Sequence, residues 1–451
     1  MRYRLAEKAD SLCEAMLTDL GKPIRTGLAY DILPTLDSIK TLIKKGEAEL
    51  KTKSVSTPLR QFYMGLTKGK VYRQPYGVVA VIGTWDYPVF ANIELMVAAL
   101  LAGNTVVWKP SEFMPNTTNE LKHVFDALPK DIISILEGSA EAANHLTKAK
   151  VDKILFRGST VTGRKAMAQA ANYTTPIGLE LGGKDAMVIH KEADVERAIT
   201  ALRWALVHNS GQSPFKPQRL FIHSSLYADF KEKLIKELEK IKLGPADQPT
   251  TEYAPQFNDP LARLAEKIIQ DAVGMGARLL TGGNCVREHQ GTHIQPAVLE
   301  GVTEKMRLDN TDIWAPIVTL RKFDSDVQVI RWVNDHPLGM GVTLWGKDIK
   351  ELDNLAKRLD IGNIQINGMM TQALGGFSPM SGRRLSGSMV RHDCQSIRHM
   401  TRPQVITHDV KFMKPVWQQK VMRKKWLLDM LISFKAGQYK RMLSFWQSKR
   451  K

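Results

Sequence analysis

The chain has 451 residues, of which 43% are hydrophobic and 24% charged. This length exceeds the usual limit of a single hydrophobic core, so the sequence predicts a globular protein of two or three domains. Its three cysteines, Cys13, Cys285 and Cys394, are too few and too scattered for a disulfide framework or a metal cluster. We therefore expect no metal and a reducing, cytoplasmic setting, with neither a signal peptide nor a membrane span.

The formal net charge is +18, and it is concentrated at the end of the chain. Residues 411–451 carry 12 Lys or Arg and one acid, a net of +11, which leaves +7 over the other 410 positions. Because these basic residues lack an accompanying binding fold, we expect no nucleic-acid partner.

Alternating helices and strands are predicted along the chain. Residues 1 to about 55 have apolar positions at helical spacing, for example Leu12, Met16 and Leu20. After them come a buried strand at 76–84, a helix at 93–101, a strand at 105–109, a helix at 119–127, a strand at 153–156 and a helix at 164–171. This alternation indicates βαβ units and a parallel sheet.

The same alternation resumes after Glu180. Helices are predicted at 195–207, 228–240 and 260–274, and residues 244–259, rich in Pro, Thr and acids, form a surface connection. The sequence therefore predicts an α/β protein with two such domains.

One strand-to-helix turn, at residues 157–164, has the geometry that receives an anion at a helix N-terminus. Its two glycines, Gly158 and Gly163, are five positions apart, which is weak evidence alone. A tight turn without a ligand fits the pattern equally well.

That turn is one of several motifs that occur in a fixed order. They are GTWDYP at 83–88, WKPSE at 108–112, GSTVTG at 158–163, LELGGK at 179–184, NSGQ at 209–212, DIWAP at 312–316 and SG at 386–387. From about residue 5 to 408 the series resembles the aldehyde dehydrogenase superfamily, most closely its shorter-chain branch of fatty and aromatic aldehyde enzymes.

The resemblance implies the aldehyde dehydrogenase fold and its domain order. A Rossmann-like NAD-binding domain is expected at 1–187, an α/β catalytic domain at 188–377 and a C-terminal oligomerisation segment at 378–410, with a basic amphipathic tail at 411–451. It also implies a homo-oligomer, most simply a dimer.

In this family a cysteine thiolate attacks the aldehyde, an asparagine and a backbone N–H stabilise the oxyanion, and a glutamate activates water. Glu180 matches the glutamate, but Pro214 stands at the cysteine position and Asp86 at the asparagine position. Proline supplies neither a nucleophile nor an N–H donor, and a carboxylate would repel a developing negative charge. Ser213 is an alternative nucleophile, but it needs an adjacent base and its side chain should face elsewhere.

The resemblance implies that the cofactor is NAD. Lys109 and Glu112 match the pair that holds the adenosine ribose, and Gly158, Ser159 and Gly163 match the pyrophosphate turn. Trp85 and Leu181 belong to the same motifs, while Asp312 and Trp314 replace the glutamate and phenylalanine at the nicotinamide end. Arg157 replaces a small residue, and it either salt-bridges the phosphates or fills the pocket. A self-satisfied salt bridge in an empty cleft fits equally well.

Two functions follow from these residues. The first is a catalytically impaired family member that retains an NAD-type site. The alternative is an active NAD-dependent oxidoreductase that acts on an aldehyde or acyl substrate by atypical chemistry.

The tail also has two interpretations. It interleaves aromatic and aliphatic residues with Lys and Arg, a pattern that suits peripheral contact with an anionic membrane. The other interpretation is a helix that packs on its own domain or on a neighbouring subunit. Its side chains include Trp417, Arg423, Lys424, Trp426, Phe434, Lys440, Arg441 and Trp446.

Overall fold

The computed structural model of the protein describes residues 1–58, 66–288, 291–371, 373, 378–410 and 425–439. These residues form two compact units. The first comprises Met1–Glu49 and Pro75–Met400, and the second comprises the described residues of Leu50–Gln74 and Thr401–Lys451. The domain boundaries expected at residues 187 and 377 stay predictions.

Helices and strands alternate through most of the chain. The helices are α1 (Arg2–Glu7), α2 (Ala9–Leu20), α3 (Ile24–Gly27), α4 (Leu33–Leu50), α5 (Phe90–Leu101), α6 (Pro115–Phe125), α7 (Ala140–Lys148), α8 (Thr160–Ala171), α9 (Val195–Val207), α10 (Tyr227–Glu239), α11 (Asp259–Gly274), α12 (Arg307–Asn310), α13 (Asp326–Asn334), α14 (Ile349–Ala356), α15 (Gln395–His399) and α16 (Lys425–Lys435). The strands are β1 (Lys53–Ser56), β2 (Thr67–Pro75), β3 (Val78–Ile82), β4 (Thr105–Lys109), β5 (Ile133–Ile135), β6 (Lys153–Arg157), β7 (Ile177–Glu180), β8 (Ala186–Ile189), β9 (Arg219–His223), β10 (Arg278–Thr281), β11 (Cys285–Glu288), β12 (Gly291–Ile294), β13 (Ala297–Glu300), β14 (Ile317–Phe323), β15 (Gly341–Trp345), β16 (Asn363–Ile366) and β17 (Thr401–Asp409).

The N-terminal prediction of helix is confirmed as far as α4, with a π-helical turn at Leu28–Ile32. Its last residues are wrong, because Lys53–Ser56 forms strand β1. This strand pairs antiparallel with β2, from Lys53 opposite Val71 to Ser56 opposite Lys68. The pairing satisfies the backbone groups of a short segment whose local propensity is weak.

The first unit contains a five-stranded parallel sheet with the order β5-β4-β3-β6-β7. Helices α5, α6, α7 and α8 connect its successive strands. The strand order reverses between β3 and β6, and ligands of doubly wound sheets bind outside the carboxyl ends of strands at such a point. The predicted parallel α/β arrangement is therefore confirmed, and its binding edge lies after Ile82 and Arg157.

A second sheet in this unit has seven strands in the order β10-β13-β14-β9-β8-β15-β16. All neighbours are parallel except β10, which pairs antiparallel with β13. Every side chain of β8 and β15 is buried, as expected for strands covered on both faces. Strands β11 and β12 form a separate two-stranded hairpin.

The second unit contains the three-stranded sheet β1-β2-β17. Most side chains of β17 and all of β1 are exposed. The unit also includes α16, which lies in the described part of the basic tail, residues 425–439. None of the described helices is both long and apolar enough to cross a membrane. The tail residues Trp417, Arg423, Lys424, Lys440, Arg441 and Trp446 lie outside the described residues.

Candidate functional site

Four of the motifs, at 83–88, 158–163, 179–184 and 312–316, meet in one narrow cavity at the carboxyl edge of the five-stranded sheet. Its volume is about 20 Å³, which is room for about one water molecule. The lining residues are Thr84, Asp86, Arg157, Gly158, Glu180, Leu181, Gly182, Pro214 and Trp314. The structure therefore brings together the three residues that the sequence placed at the catalytic positions, with Trp314 beside them.

Neighbouring elements fix the loop that carries Asp86. The carbonyl oxygen of Asp86 accepts hydrogen bonds from Lys22 Nζ at 2.7 Å and from Asn209 Nδ2 at 3.0 Å. Lys22 also forms a buried ion pair with Asp31 at 2.7 Å. Asp31 Oδ1 in turn accepts from the N–H groups of Val89 and Phe90 at the start of α5. The loop is therefore held by buried groups from two other segments.

Arg157, the last residue of β6, fills the space between two carboxylates. Its Nε donates to Glu180 Oε1 at 2.8 Å, and its Nη2 lies 3.5 Å from Asp86 Oδ2. All three side chains are at least 95% buried. Burial opposes the charge of the guanidinium, but Glu180 and then Asp86 outweigh it and raise the pKa of Arg157. Of the roles predicted for Arg157, the geometry is that of the salt bridge inside the pocket.

A second arginine holds the other oxygen of the Glu180 carboxylate. Arg391 Nε lies 3.4 Å from Glu180 Oε2 and 3.9 Å from Glu94 Oε2. Glu94 Oε1 accepts from His392 N–H at 2.7 Å and lies 2.8 Å from His392 Nδ1. Burial raises the pKa of Glu94, but His392 and Arg391 outweigh it and lower this pKa to about 2.

We call Asp86, Glu94, Arg157, Glu180, Arg391 and His392 the buried charge cluster. Sequence reasoning missed Glu94, Arg391 and His392. Glu94 had a visible signal, since it is a single acid in the apolar segment of helix α5. Arg391 and His392 had none, because only the fold brings them to α5.

Pro214, which the sequence comparison placed at the nucleophile position, is buried and lines the cavity. Ser213 does not line it. The Ser213 side chain is fully buried, and its Oγ accepts a hydrogen bond from the Tyr87 hydroxyl at 3.0 Å. That hydroxyl lies 3.1 Å from His208 Nε2, and burial lowers the pKa of His208 to about 3. Ser213 therefore faces Tyr87 and not the space beside Glu180.

The two residues predicted to hold the adenosine ribose form an ion pair. Lys109 Nζ donates to Glu112 Oε2 at 2.8 Å. Lys109 is buried, whereas 40% of the Glu112 side chain is exposed. Burial raises the pKa of Glu112, but the hydrogen bond from Lys109 outweighs it and lowers this pKa. Glu112 is thus a charged, accessible acceptor for hydroxyl groups.

The predicted pyrophosphate turn opens helix α8. Ser159 is the N-cap, and its Oγ accepts from Thr162 N–H at 3.2 Å. Gly163 is buried against Leu181, where an added Cβ would lie 2.3 Å from Leu181 Cδ2. The glycine therefore lets α8 approach the segment after β7 closely.

The residues predicted at the nicotinamide end bond to the protein itself. Asp312 Oδ2 accepts from Gly183 N–H and from Trp314 Nε1, both at 3.1 Å, and Oδ1 accepts from Gln218 Nε2 at 2.7 Å. Burial raises the pKa of Asp312, against the charge of Lys216. Both oxygens of Asp312 therefore already have donors.

Trp85 and Trp314 belong to a cluster of tilted aromatic rings beside this end. The ring centroids of Trp85 and Trp314 are 5.0 Å apart, and those of Trp85 and Phe257 are 3.8 Å apart.

Among the described residues, no group of three or more His, Cys, Asp or Glu side chains has a metal-binding arrangement.

Comparison with known proteins extends this picture to most of the chain. Residues 1–406 match the sequence profile of the Aldehyde dehydrogenase family. A 4,4′-diapolycopene aldehyde oxidase from Methylomonas sp. is 30% identical over 405 residues, which cover 89% of this chain and 75% of that protein. Betaine aldehyde dehydrogenase from Bacillus subtilis is 29% identical over 406 residues, which cover 87% and 81%.

Solved structures agree with this match. The NAD⁺ complex of an aldehyde dehydrogenase from Bacillus cereus has a TM-score of 0.84 at 27% identity, covering 91% of this chain and 83% of that one. The Mycobacterium tuberculosis aldehyde dehydrogenase complexed with NAD⁺ has the same TM-score at 26% identity, covering 90% and 83%. The α/β fold expected from the motifs is confirmed, and these NAD complexes support the NAD cofactor expected for it.

Proposed function

The chain belongs to the aldehyde dehydrogenase family, and we propose that it is a catalytically impaired member that retains part of an NAD site. One observation carries this proposal. Beside Pro214, the Glu180 carboxylate is held by Arg157 and Arg391 in a cavity with room for about one water molecule.

Covalent catalysis lacks its nucleophile. Pro214 has no reactive side chain and no N–H donor for an oxyanion. The chain's three thiols stand elsewhere, and none of them lines the cavity. Burial is the largest influence on each of them, and it raises the pKa of Cys13 to about 12 and those of Cys285 and Cys394 to about 11. These groups stay protonated at neutral pH and are weak nucleophiles.

Activation of water is impaired as well. A general base must present a free oxygen to the proton that it removes. Glu180 Oε1 already accepts from Arg157 Nε at 2.8 Å. Oε2 makes no hydrogen bond among the described residues, but it is buried and paired with the charge of Arg391, whose Nε lies 3.4 Å away. Asp86 adds a negative charge where the family needs an oxyanion donor.

The test is an aldehyde panel with NAD, read as NADH absorbance. We expect no NADH above the rate without enzyme. Time-dependent NADH formation that Glu180→Gln abolishes would overturn the proposal. The same result would support the alternative function, an active oxidoreductase with atypical chemistry on an aldehyde or acyl substrate, which the position of Glu180 at the cavity wall favours.

We propose that Lys109 and Glu112 bind the adenosine ribose of NAD and that Gly158 and Ser159 bind its pyrophosphate. Glu112 is accessible and charged, as an acceptor for two ribose hydroxyls requires. A carboxylate there would repel a 2′-phosphate, which favours NAD over NADP. Bound NAD would supply a hydride acceptor, but the cavity beside Arg157 does not fit a nicotinamide ring, so we derive no redox step.

We further propose that the protein forms a homodimer in the cytoplasm, because aldehyde dehydrogenases are generally oligomeric. Its tail is proposed to contact anionic membrane surfaces. Helix α16 exposes Ile432 and Phe434, 63% and 50% accessible, beside the exposed Lys435. Apolar side chains next to lysine suit the interface between lipid headgroups and acyl chains.

A further inference from the structure

The proposed NAD site has an accessible half for the adenosine and a filled half where the nicotinamide would lie. The adenosine half offers Glu112, with 40% of its side chain exposed. The other half is the cavity of about 20 Å³ that contains the Arg157 side chain. A dry protein cavity that holds benzene measures about 150 Å³. A nicotinamide ring with its carboxamide is larger than benzene, so this cavity cannot receive it.

Charge excludes the ring as well. The nicotinamide of NAD⁺ carries a positive charge, and so does the Arg157 guanidinium in the same space. Arg157 Nη1 is buried and has no hydrogen-bond partner among the described residues. The pyridinium ring itself has no acceptor atom for this donor, and only the carboxamide oxygen of nicotinamide can accept from it.

Arg157 is held in its place from both sides. Its Nε and Nη2 face Glu180 and Asp86, and all three side chains are at least 95% buried. If Arg157 swung out, the buried Asp86 would lose its cation and Glu180 would lose one of two, which is costly in a low-dielectric interior. Arg391 contacts the far side of Glu180 at 3.4 Å and so restrains the partner of Arg157.

The position of Arg157 in the chain sets the boundary of the ligand. Gly158 and Ser159, the predicted phosphate turn, follow it directly, and Ser159 is exposed at the start of α8. The diphosphate therefore reaches the turn, and whatever extends beyond the diphosphate meets the arginine.

We propose that Arg157 is a specificity-determining residue that restricts this site to the adenosine diphosphate half of a dinucleotide. The ligand class is an adenine ribonucleoside diphosphate, such as ADP or ADP-ribose, and NAD binds by that half alone. This inference rests on the proposed function, because it requires the retained adenosine site.

Calorimetric titration of the full chain with NAD, ADP-ribose and ADP tests it. We expect NAD and ADP-ribose to bind within about threefold of each other, because the nicotinamide adds no contact. Saturation-transfer NMR of bound NAD should show signal at the adenine and adenosine-ribose protons and none at the nicotinamide protons. Glu112→Gln should weaken NAD and ADP-ribose by the same factor.

A charge-balanced variant, Arg157→Ser with Asp86→Asn, removes one cation and one anion from the cavity. It should prefer NAD over ADP-ribose by about tenfold or more and should show nicotinamide signals. Arg358→Ser, which removes an exposed arginine elsewhere, is the matched control and should leave the ratio unchanged. If the double variant does not fold, the saturation-transfer signals of NAD bound to the native protein test the inference alone: signal at the nicotinamide protons contradicts it.

The outcomes separate this inference from the proposed function. A tenfold preference of the native protein for NAD, with saturated nicotinamide protons, would overturn the role of Arg157 and leave the proposed NAD site in place. Absence of binding by all three nucleotides would overturn the retained site and this inference with it. Catalytic impairment is measured separately, by NADH formation.

Discussion

Replacing Arg391 with methionine tests the buried charge cluster. The Arg391 side chain is 1% exposed, and it faces Glu180 at 3.4 Å and Glu94 at 3.9 Å. Removing one partner of a buried ion pair typically costs about 3–5 kcal/mol, because a charge is left uncompensated. Glu180 would keep Arg157 and Glu94 would keep His392. We therefore expect the lower end, about 3 kcal/mol.

Lys45→Met is the matched control. Lys45 pairs with Asp393 at 3.3 Å, two residues from Arg391, but its side chain is 53% exposed. An exposed pair contributes about 0–1 kcal/mol. Urea unfolding of the three proteins, followed by tryptophan fluorescence, gives both losses in free energy of unfolding. If Arg391→Met costs no more than Lys45→Met, the cluster is not a stabilising network.

The remaining predictions concern pH and the tail. The pKa of Glu94 is about 2 in the folded protein, against an ordinary value of 4.5. The ionised carboxylate therefore contributes about 3 kcal/mol to the free energy of unfolding above pH ~4.5, and this contribution is lost as the pH falls towards 2. The free energy of unfolding, measured as a function of pH, should show this loss, and Glu94→Gln should remove it. The full chain should sediment with anionic liposomes at low salt and less at high salt, while a chain ending at Val410 should stay in the supernatant. If the shortened chain aggregates and the full chain ignores the liposomes, the tail is a packing element.

The sequence could predict the parts of the fold that depend on local patterns. Helix α9 and strand β4 have their predicted bounds, because apolar periodicity and a following proline define them. Helix α6 begins at Pro115, four residues before the prediction, since proline is well accommodated in the first turn of a helix. The three-stranded sheet was missed because β17 is distant in sequence from β1 and β2, and because β1 and β17 are largely exposed and lack the apolar pattern of a buried strand.

In the candidate site, too, the residues within local motifs could be predicted, whereas the contacts made by the fold could not. The motifs located Asp86, Glu180 and Pro214, and the structure places all three on one cavity. The partner of Glu180 could not be predicted, since Arg391 stands 211 positions away and belongs to no motif. The roles of Arg157 also stayed open, because only the distances to Asp86 and Glu180 distinguish them.

The contacts of Arg157 determine which substitutions should be combined to restore catalysis. Arg157 pairs with both Asp86 and Glu180, so Asp86→Asn leaves the guanidinium paired with Glu180, whereas Arg157→Ser alone leaves the buried Asp86 without its cation. Pro214→Cys supplies a thiol, but the cavity stays filled and Asp86 still repels an oxyanion, whose missing donor typically costs about 3–4 kcal/mol.

We therefore expect little NADH from Pro214→Cys, more from Pro214→Cys with Asp86→Asn, and most when Arg157→Ser is added to these two. Loss of Arg157 opens the cavity and releases Glu180 Oε1 for a water molecule. Adding Glu180→Gln to the triple variant should remove the gain, which separates base catalysis from simple opening. If the single, double and triple variants form NADH at the same measurable rate, Asp86 and Arg157 do not limit the reaction, and the proposed impairment rests on Pro214 alone.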